Sequence, residues 1–358
     1  MTKTLVFVTC GLTFAATGCL HPKIGPNSLP RDRAFYSVSL ADSWKQMTLL
    51  NIVKMRYLDP PVFVDIGNIV SSYTLSQNAS VGGSIQADGP SGGATLGGAV
   101  TFSNSPTITF TPLTGNAYIK GVTTPPPPAS IFAAMQNGTP ADSILLSSVQ
   151  SINGLRNQEG SMDGIRPADP EFHRVRELFR NIQLSGLVRI YVKEEPSKQQ
   201  TTLLTIRKSN IPPDLQAAGA ELRRLLHLSP DATEFRIVSA PVSSSDTEVA
   251  VITRSIIGLL TNMALEVEVP SEHVAKHQAA PGFEAGRTLP GVVPMIRIHS
   301  AKKKPDGAFV DVYYRDTWFW IDDGDLASKR SFVQLMLLFT MADTGGRESL
   351  PVVTIPSR

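Results

Sequence analysis

Residues 79–102, ASVGGSIQADGPSGGATLGGAVTF, restrict the possible folds more than any other stretch of this chain. Val81, Gly83, Ile85 and Ala87 alternate with Gly82, Ser84 and Gln86; Ala94, Leu96, Gly98, Val100 and Phe102 alternate with Thr95, Gly97, Ala99 and Thr101. A period of two belongs to strands, and the DGPSGG between the arms is turn chemistry, so a β-hairpin is predicted. The arms carry no charge, and each approaches the roughly 9–11 residues that a tilted membrane-crossing strand needs. One hairpin cannot cross alone, because its open edges would leave backbone groups unpaired in hydrocarbon; several copies giving one hairpin each could close a barrel. Against that reading, the aromatic girdles of membrane barrels are missing, with only Phe102 near one end, and a glycine-rich surface hairpin fits the same pattern.

Elsewhere the periodicities predict an α+β fold of mixed helices and antiparallel hairpins, with the Gly-rich hairpin as an insertion in the N-terminal half. Residues 19–38, rich in proline and charge, read as an extended tether, and a helix holding Leu40, Trp44, Met47 and Met55 is stopped by Asp59-Pro60-Pro61. A strand over 106–112 and a turn at Leu113–Asn116 lead to Pro125–Pro128, a stiff connector, and then to a helix over Pro140–Arg156. A domain boundary is placed after residue 157, giving regions 39–157 and 158–358. In the second region Asp169 is predicted to cap a helix with Phe172, Val175, Leu178, Phe179 and Ile182 as its buried stripe and Gly186 at its end. Strands 187–195 and 201–209 pair through Pro196-Ser197, a short strand covers Leu265–Val269, and Pro305-Asp306-Gly307 reads as a hairpin turn. A helix over 325–343 is apolar nearly all round, which predicts burial on more than one side, and LPVVTIP is a terminal strand.

The N-terminus has Lys3, then about a dozen mostly apolar residues from Leu5 to Ala16, then Ala16-Thr17-Gly18-Cys19. That layout is a secretory signal over 1–18, too short to span a bilayer. Ala16-Thr17-Gly18-Cys19 resembles the lipobox of bacterial lipoproteins, with alanine at the position more often held by leucine. The resemblance implies cleavage after Gly18 and acyl chains on Cys19; Leu20, in place of the aspartate of inner-membrane lipoproteins, implies the outer membrane of a Gram-negative cell, facing the periplasm. Two or three chains exceed what stable anchoring requires. Processing would also remove Cys10, leaving no thiol for a disulfide, catalysis or metal binding among the chain's 2 cysteines. The segments RYLDPPVFVDI and WFWIDDGDLASKRSFVQLMLLF are similar to uncharacterised proteobacterial envelope lipoproteins, a resemblance that implies an address and no activity.

Chemistry is sparse. No nucleophile elbow, phosphate loop, zincin helix or dinucleotide fingerprint is present, and no cofactor or metal is expected. His273 and His277 stand four apart but lie in a polar stretch, and Asp322, Asp323 and Asp325 lack the spacing of a calcium loop, so Asp325 reads as a helix cap. Trp318 and Trp320 fall on one face of a strand with Phe319 opposite; they read as core or as an aromatic anchor for a partner. With 33 basic against 31 acidic residues and a single dense run, Lys302–Lys304, nucleic acid is not an expected partner.

The expected role is therefore a non-enzymatic, outer-membrane-anchored scaffold or assembly component with an envelope protein partner. Two alternatives stay open: a subunit of an oligomeric pore built from hairpin 79–102, by analogy with the lipoprotein channel that secretes curli, and an envelope hydrolase using Asp322, Asp323 and Asp325. Labelled palmitate should enter the wild-type chain, and Cys19→Ser should lose the label and leave the membrane pellet. An unmodified thiol at Cys19 by mass spectrometry would remove the anchor from this reading.

Overall fold

The computed structural model describes residues 29–70, 73–84, 93–104, 107–112, 116–161, 164–194, 200–207, 212–282 and 289–342. Gly18, Cys19, residues 88–92 of the DGPSGG turn, the turn at Pro196-Ser197 and the expected terminal strand lie outside them. Helix α1 (Leu29–Arg56) is followed by β1 (Val64–Val70), β2 (Tyr73–Ser84), β3 (Gly93–Asn104) and β4 (Thr107–Pro112). Then come α2 (Asn116–Thr123), α3 (Pro128–Gln136), α4 (Ala141–Ser148), β5 (Val149–Ile152), β6 (Leu155–Arg156), β7 (Glu159–Ser161), β8 (Gly164–Arg166) and α5 (Pro170–Ser185). The remainder is β9 (Val188–Glu194), β10 (Gln200–Ile206), α6 (Pro213–Leu225), β11 (Glu234–Val238), β12 (Glu248–Thr253), α7 (Ile256–Leu265), α8 (Ser271–Ala275), β13 (His299–Ala301), β14 (Ala308–Tyr314), β15 (Thr317–Asp322) and α9 (Leu326–Ala342). Contacts divide the chain into two units, one holding residues up to Ser43 with Val64–Pro112, the other Trp44–Phe63 with all that follows Leu113. The fold is α+β, with mixed helices and sheets whose pairs are antiparallel except β11 with β12.

Several elements differ from expectation for identifiable reasons. The extended tether gives way to helix at Leu29, because Pro30 falls in the first turn, where its missing N–H is not needed, and Asp32 meets the positive helix end. Helix 140–156 stops at Ser148: Asn153 and Gly154 take φ of 44° and 84°, making the tight turn between β5 and β6. Pro128 is no longer connector but the first residue of α3. The sheet in order β6-β5-β12-β11-β10-β9 runs across residue 157, since β5 pairs with β12 through Ile152 and Val251, so the expected boundary does not separate two bodies. Leu265–Val269 supplies one bridge, Val267 to Ile298, in place of a strand. The Pro-Asp-Gly segment does not join neighbours: the order is β13-β15-β14, and the hairpin turn is Arg315-Asp316, both at positive φ.

The second unit has two apolar cores. The first packs Ile131, Phe132 and Met135 of α3 and the whole predicted stripe of α5 against Leu204, Phe235, Val249 and Val251 of the sheet. Phe132 and Phe179 meet edge to face at 6.0 Å. The second joins Leu49, Ile52 and Val53 of α1 to α7, to the inner face of β14 and β15, and to Phe332 and Leu335 of α9. Side chains of this size contribute about 1.5–3 kcal/mol each when fully buried. Helix α9 is covered on one side, while Val333 and Leu337 stay 43% and 60% exposed, so the described residues do not supply the expected burial on more than one side.

Where the cores meet, α4 ends in buried backbone. Asn157 Nδ2 donates to the carbonyls of Leu145, Leu146 and Val149 at 3.2, 2.8 and 2.7 Å. Buried Arg254 donates through Nη1 to Leu146 and Ser147 at 2.7 and 3.3 Å, through Nη2 to Gln158, and through its backbone N–H to Ser148 at 2.8 Å. Burial lowers its guanidinium to about 10, leaving it charged at neutral pH. Nearby Glu266 accepts the N–H groups of Met295 and Ile296 on one oxygen at 2.7 and 2.8 Å, and its other oxygen has no partner. Burial pushes this carboxyl up to about 8.

A raised carboxyl makes the folded state hold a proton that the unfolded chain has already released, so stability should fall as pH rises from about 5 to about 8, by up to about 1.4 kcal/mol per unit. Glu266→Gln keeps an acceptor for both N–H groups and should flatten that slope in urea titrations run across this range. An unchanged slope would show that Glu266 ionises normally.

Candidate functional site

The chain leaves α1 through Asp59-Pro60-Pro61, and Asn51 fixes the exit by pairing with Val62 like a neighbouring strand: Nδ2 donates to its carbonyl at 2.8 Å and Oδ1 accepts its N–H at 2.9 Å. From Val64 to Pro112 the described residues form a two-armed antiparallel ribbon. β1 pairs with β4, with an irregularity between Ile66 and Ile69, and β2 pairs with β3 in an unbroken register from Tyr73–Asn104 to Ser84–Gly93. Twelve residues per strand extend about 40 Å at 3.3–3.4 Å each, more than the ~30 Å of a bilayer's hydrocarbon.

The register sorts the composition. One set of pairs is Tyr73–Asn104, Leu75–Phe102, Gln77–Val100, Ala79–Gly98, Val81–Leu96 and Gly83–Ala94. The alternate set is Thr74–Ser103, Ser76–Thr101, Asn78–Ala99, Ser80–Gly97, Gly82–Thr95 and Ser84–Gly93. Positions two apart share a side of a ribbon, so one set collects the large apolar residues, together with Gln77 and Asn104, and the other holds only small or polar ones. A shift of one residue in either arm would mix the two sets. Among the described residues β2 and β3 pair with each other alone, so each has one unpaired edge. Isolated two-stranded hairpins are marginal in water, and open edges are templates for further strands.

Trp318 and Trp320 sit on β15, which presents Phe319 and Ile321 to the second core. The indoles therefore lie on the outer face of the sheet, half-buried, and the reading of them as core is corrected: with a period of two, Phe319 takes the inner position. Trp318 lies 5.2 Å from Tyr313 with Lys304 over its ring at 4.9 Å, and Trp320 lies 5.5 Å from His299. His299 in turn contacts Glu268 at 3.1 Å.

The three aspartates do not converge. Asp325 caps α9, accepting the N–H groups of Ala327 and Ser328 at 3.1 Å each and the Ser328 hydroxyl at 2.7 Å; Asp323 pairs with Lys329 at 2.6 Å, and Asp322 accepts from Gly324 at 2.7 Å. Asp169, expected as a cap, instead accepts the Arg156 N–H at 2.7 Å, and its helix has no side-chain cap. His273 is buried and meets the Tyr57 hydroxyl at 2.7 Å, while His277 lies beyond the end of α8 at φ 56°, so the two do not share a helix face. Among the described residues no group of three or more His, Cys, Asp or Glu side chains is placed to hold a metal ion.

A cluster absent from the sequence reading surrounds Tyr57. Its ring packs edge-on to His273, Tyr314 and Phe319, Arg315 lies over it at 4.8 Å, and burial pushes its hydroxyl up to about 12. Asp59 accepts from the Tyr314 hydroxyl and from Arg315 at 3.0 Å, and the Tyr314 bond leads in holding its carboxyl low. Arg56 is 2% exposed with Nε and Nη1 unpartnered, and a Cβ on Gly282 would strike its guanidinium. The phenol is held protonated and the carboxylate is already paired, so this cluster welds the end of α1 to the β14–β15 turn.

Asp325→Ala should cost about 1 kcal/mol of stability through loss of the cap, read from denaturant midpoints, and Asp322→Ala should cost less. Equal losses would show that the cap does not hold α9. Comparisons with protein families, curated proteins and solved structures find no match to this chain.

Proposed function

We propose that this chain is a lipid-anchored, non-enzymatic protein of the outer membrane, tethered through Cys19 and facing the periplasm. It assembles with copies of itself, each lending ribbon 73–104 to a closed β-barrel. The observation that carries the reading is the β2–β3 register, which gathers the large apolar residues in one alternate set, with Gln77 and Asn104, and only small or polar residues in the other, along uncharged arms of membrane-crossing length. In a closed ring the unpaired edges of neighbouring copies would satisfy one another, as hydrocarbon demands, and the small polar side would line the lumen. A plain scaffold is the second reading, supported by the half-exposed Trp318 and Trp320 on a sheet face away from the core.

The test uses full-length protein extracted from membranes in mild detergent and reconstituted into vesicles. The expected result is an oligomer that passes small ions, with conductance abolished by Val81→Asp together with Leu96→Asp on the apolar set; aspartate in a membrane centre costs about 2.5–3.5 kcal/mol. Ser80→Asp, on the alternate set, should keep the oligomer and alter ion selectivity. A monomer without conductance would overturn the pore and leave the scaffold.

A further inference from the structure

The second unit carries a basic cavity that none of the above uses. It is a recess of about 560 Å³ beside α6 and the end of β10, and it is lined by Arg207, Arg223 and Arg224 with Gly219, Ala220 and Leu228. Among the described residues no aspartate or glutamate lines it. The volume falls within the range of about 300–1,000 Å³ typical of small-molecule sites.

Among the described residues none of its three guanidinium groups forms an ion pair, each for a different reason. Arg223 is 7% exposed; Nη1 donates to the Gly219 carbonyl at 3.2 Å and Nη2 to the Ile206 carbonyl at 3.0 Å, while Nε is buried without a partner. Carbonyls orient the group without neutralising it. Arg224 is close enough to act on Glu221, but that carboxylate is engaged by Arg174 through both oxygens at 2.8 Å. Arg207 is exposed and makes no side-chain hydrogen bond or ion pair with the described residues. Elsewhere in this unit some arginines face a carboxylate, as Arg174 does Glu221 and Arg236 does Glu248, while buried Arg254 is satisfied by carbonyls alone. Three arginines around one recess, with no carboxylate among its described lining residues, concentrate positive charge in a chain of near-neutral balance.

We propose that this recess binds a phosphate group carried on a small organic body. A carboxylate offers two oxygens and fills one guanidinium fork, whereas a phosphate dianion offers three oxygens and about two charges, suited to several arginines at once. Ala220, Leu228 and Pro230 give the organic body an apolar wall. The phosphate is either that of a soluble ester or that of a lipid headgroup.

The experiment uses the full chain with Cys19→Ser, so that no acyl chain contributes to membrane binding. Inorganic pyrophosphate is titrated calorimetrically, and flotation is measured with vesicles of phosphatidylglycerol in phosphatidylcholine against phosphatidylcholine alone. Arg207→Ala with Arg224→Ala removes two exposed charges, and Ala220→Trp fills the recess with all three charges kept; circular dichroism confirms that both variants fold. Saturable pyrophosphate binding, weakened at least about tenfold by both variants, supports a soluble ester. Flotation with the anionic vesicles alone, lost in both variants, supports a headgroup. Binding to neither probe, or binding that Ala220→Trp leaves intact, overturns the proposal.

Discussion

The end of α4 sets the constraint around which the second unit is arranged. Leu145 belongs to one core and Leu146 to the other, so the helix must stop where both are dry. Stopping a helix there strands its last carbonyls away from water, at about 1–3 kcal/mol for each buried group left unpaired. Asn157 and Arg254 both reach those carbonyls, and the guanidinium also lies at the negative end of the helix dipole. Because Asn157 follows β6 and Arg254 follows β12, satisfying one helix end brings strands distant in sequence into register. Lysine could not replace Arg254, because a point charge cannot fork toward Leu146 and Gln158 together.

Amide side chains do similar work elsewhere. Gln183 donates to the carbonyls of Met135 and Thr139 at 2.6 and 2.7 Å and accepts the Ala141 N–H at 2.9 Å, joining the end of α3 to the start of α4. Gln158 exchanges two hydrogen bonds with Val293, and Asn153 reaches Leu226, Glu248 and Ala250 from the β5–β6 turn. Short helices that cannot cap themselves are thus completed by residues far along the chain, which explains how many small elements hold together with no disulfide among the described residues.

Legibility in the sequence followed the reach of each interaction. The α5 stripe, Gly186 at a φ of 67°, the β9–β10 pairing and the arms around the DGPSGG turn could be read because local periodicity and turn chemistry determine them. The Asn153-Gly154 turn was readable too, but helical spacing through Ile144, Leu145, Val149 and Ile152 outweighed it; those residues are all buried, on a helix and then a strand. Helices α2 and α3 were hidden by proline and by their brevity. The order β13-β15-β14 depends on a docking partner rather than on the turn that precedes β14. Buried Arg56, Arg223, Arg254 and Glu266 left no trace in the sequence, because charge at a position carries no record of what will surround it. The basic recess was missed for the same reason, and alternation set Trp318 and Trp320 opposite Phe319 without saying which of the two faces the core would take.

Strand β13 lies across β15 from β14, so the segment between Ala301 and Ala308 spans the end of a three-stranded sheet instead of turning back on itself. Such a crossing has no fixed length: each doubling of a flexible connection costs only about 0.6 kcal/mol, whereas one added residue at Arg315-Asp316 would break a two-residue turn. Evolution and protein engineers alike therefore have a port in this part of the molecule, where extra sequence or a reporter group fits while the sheet beside it stays closed.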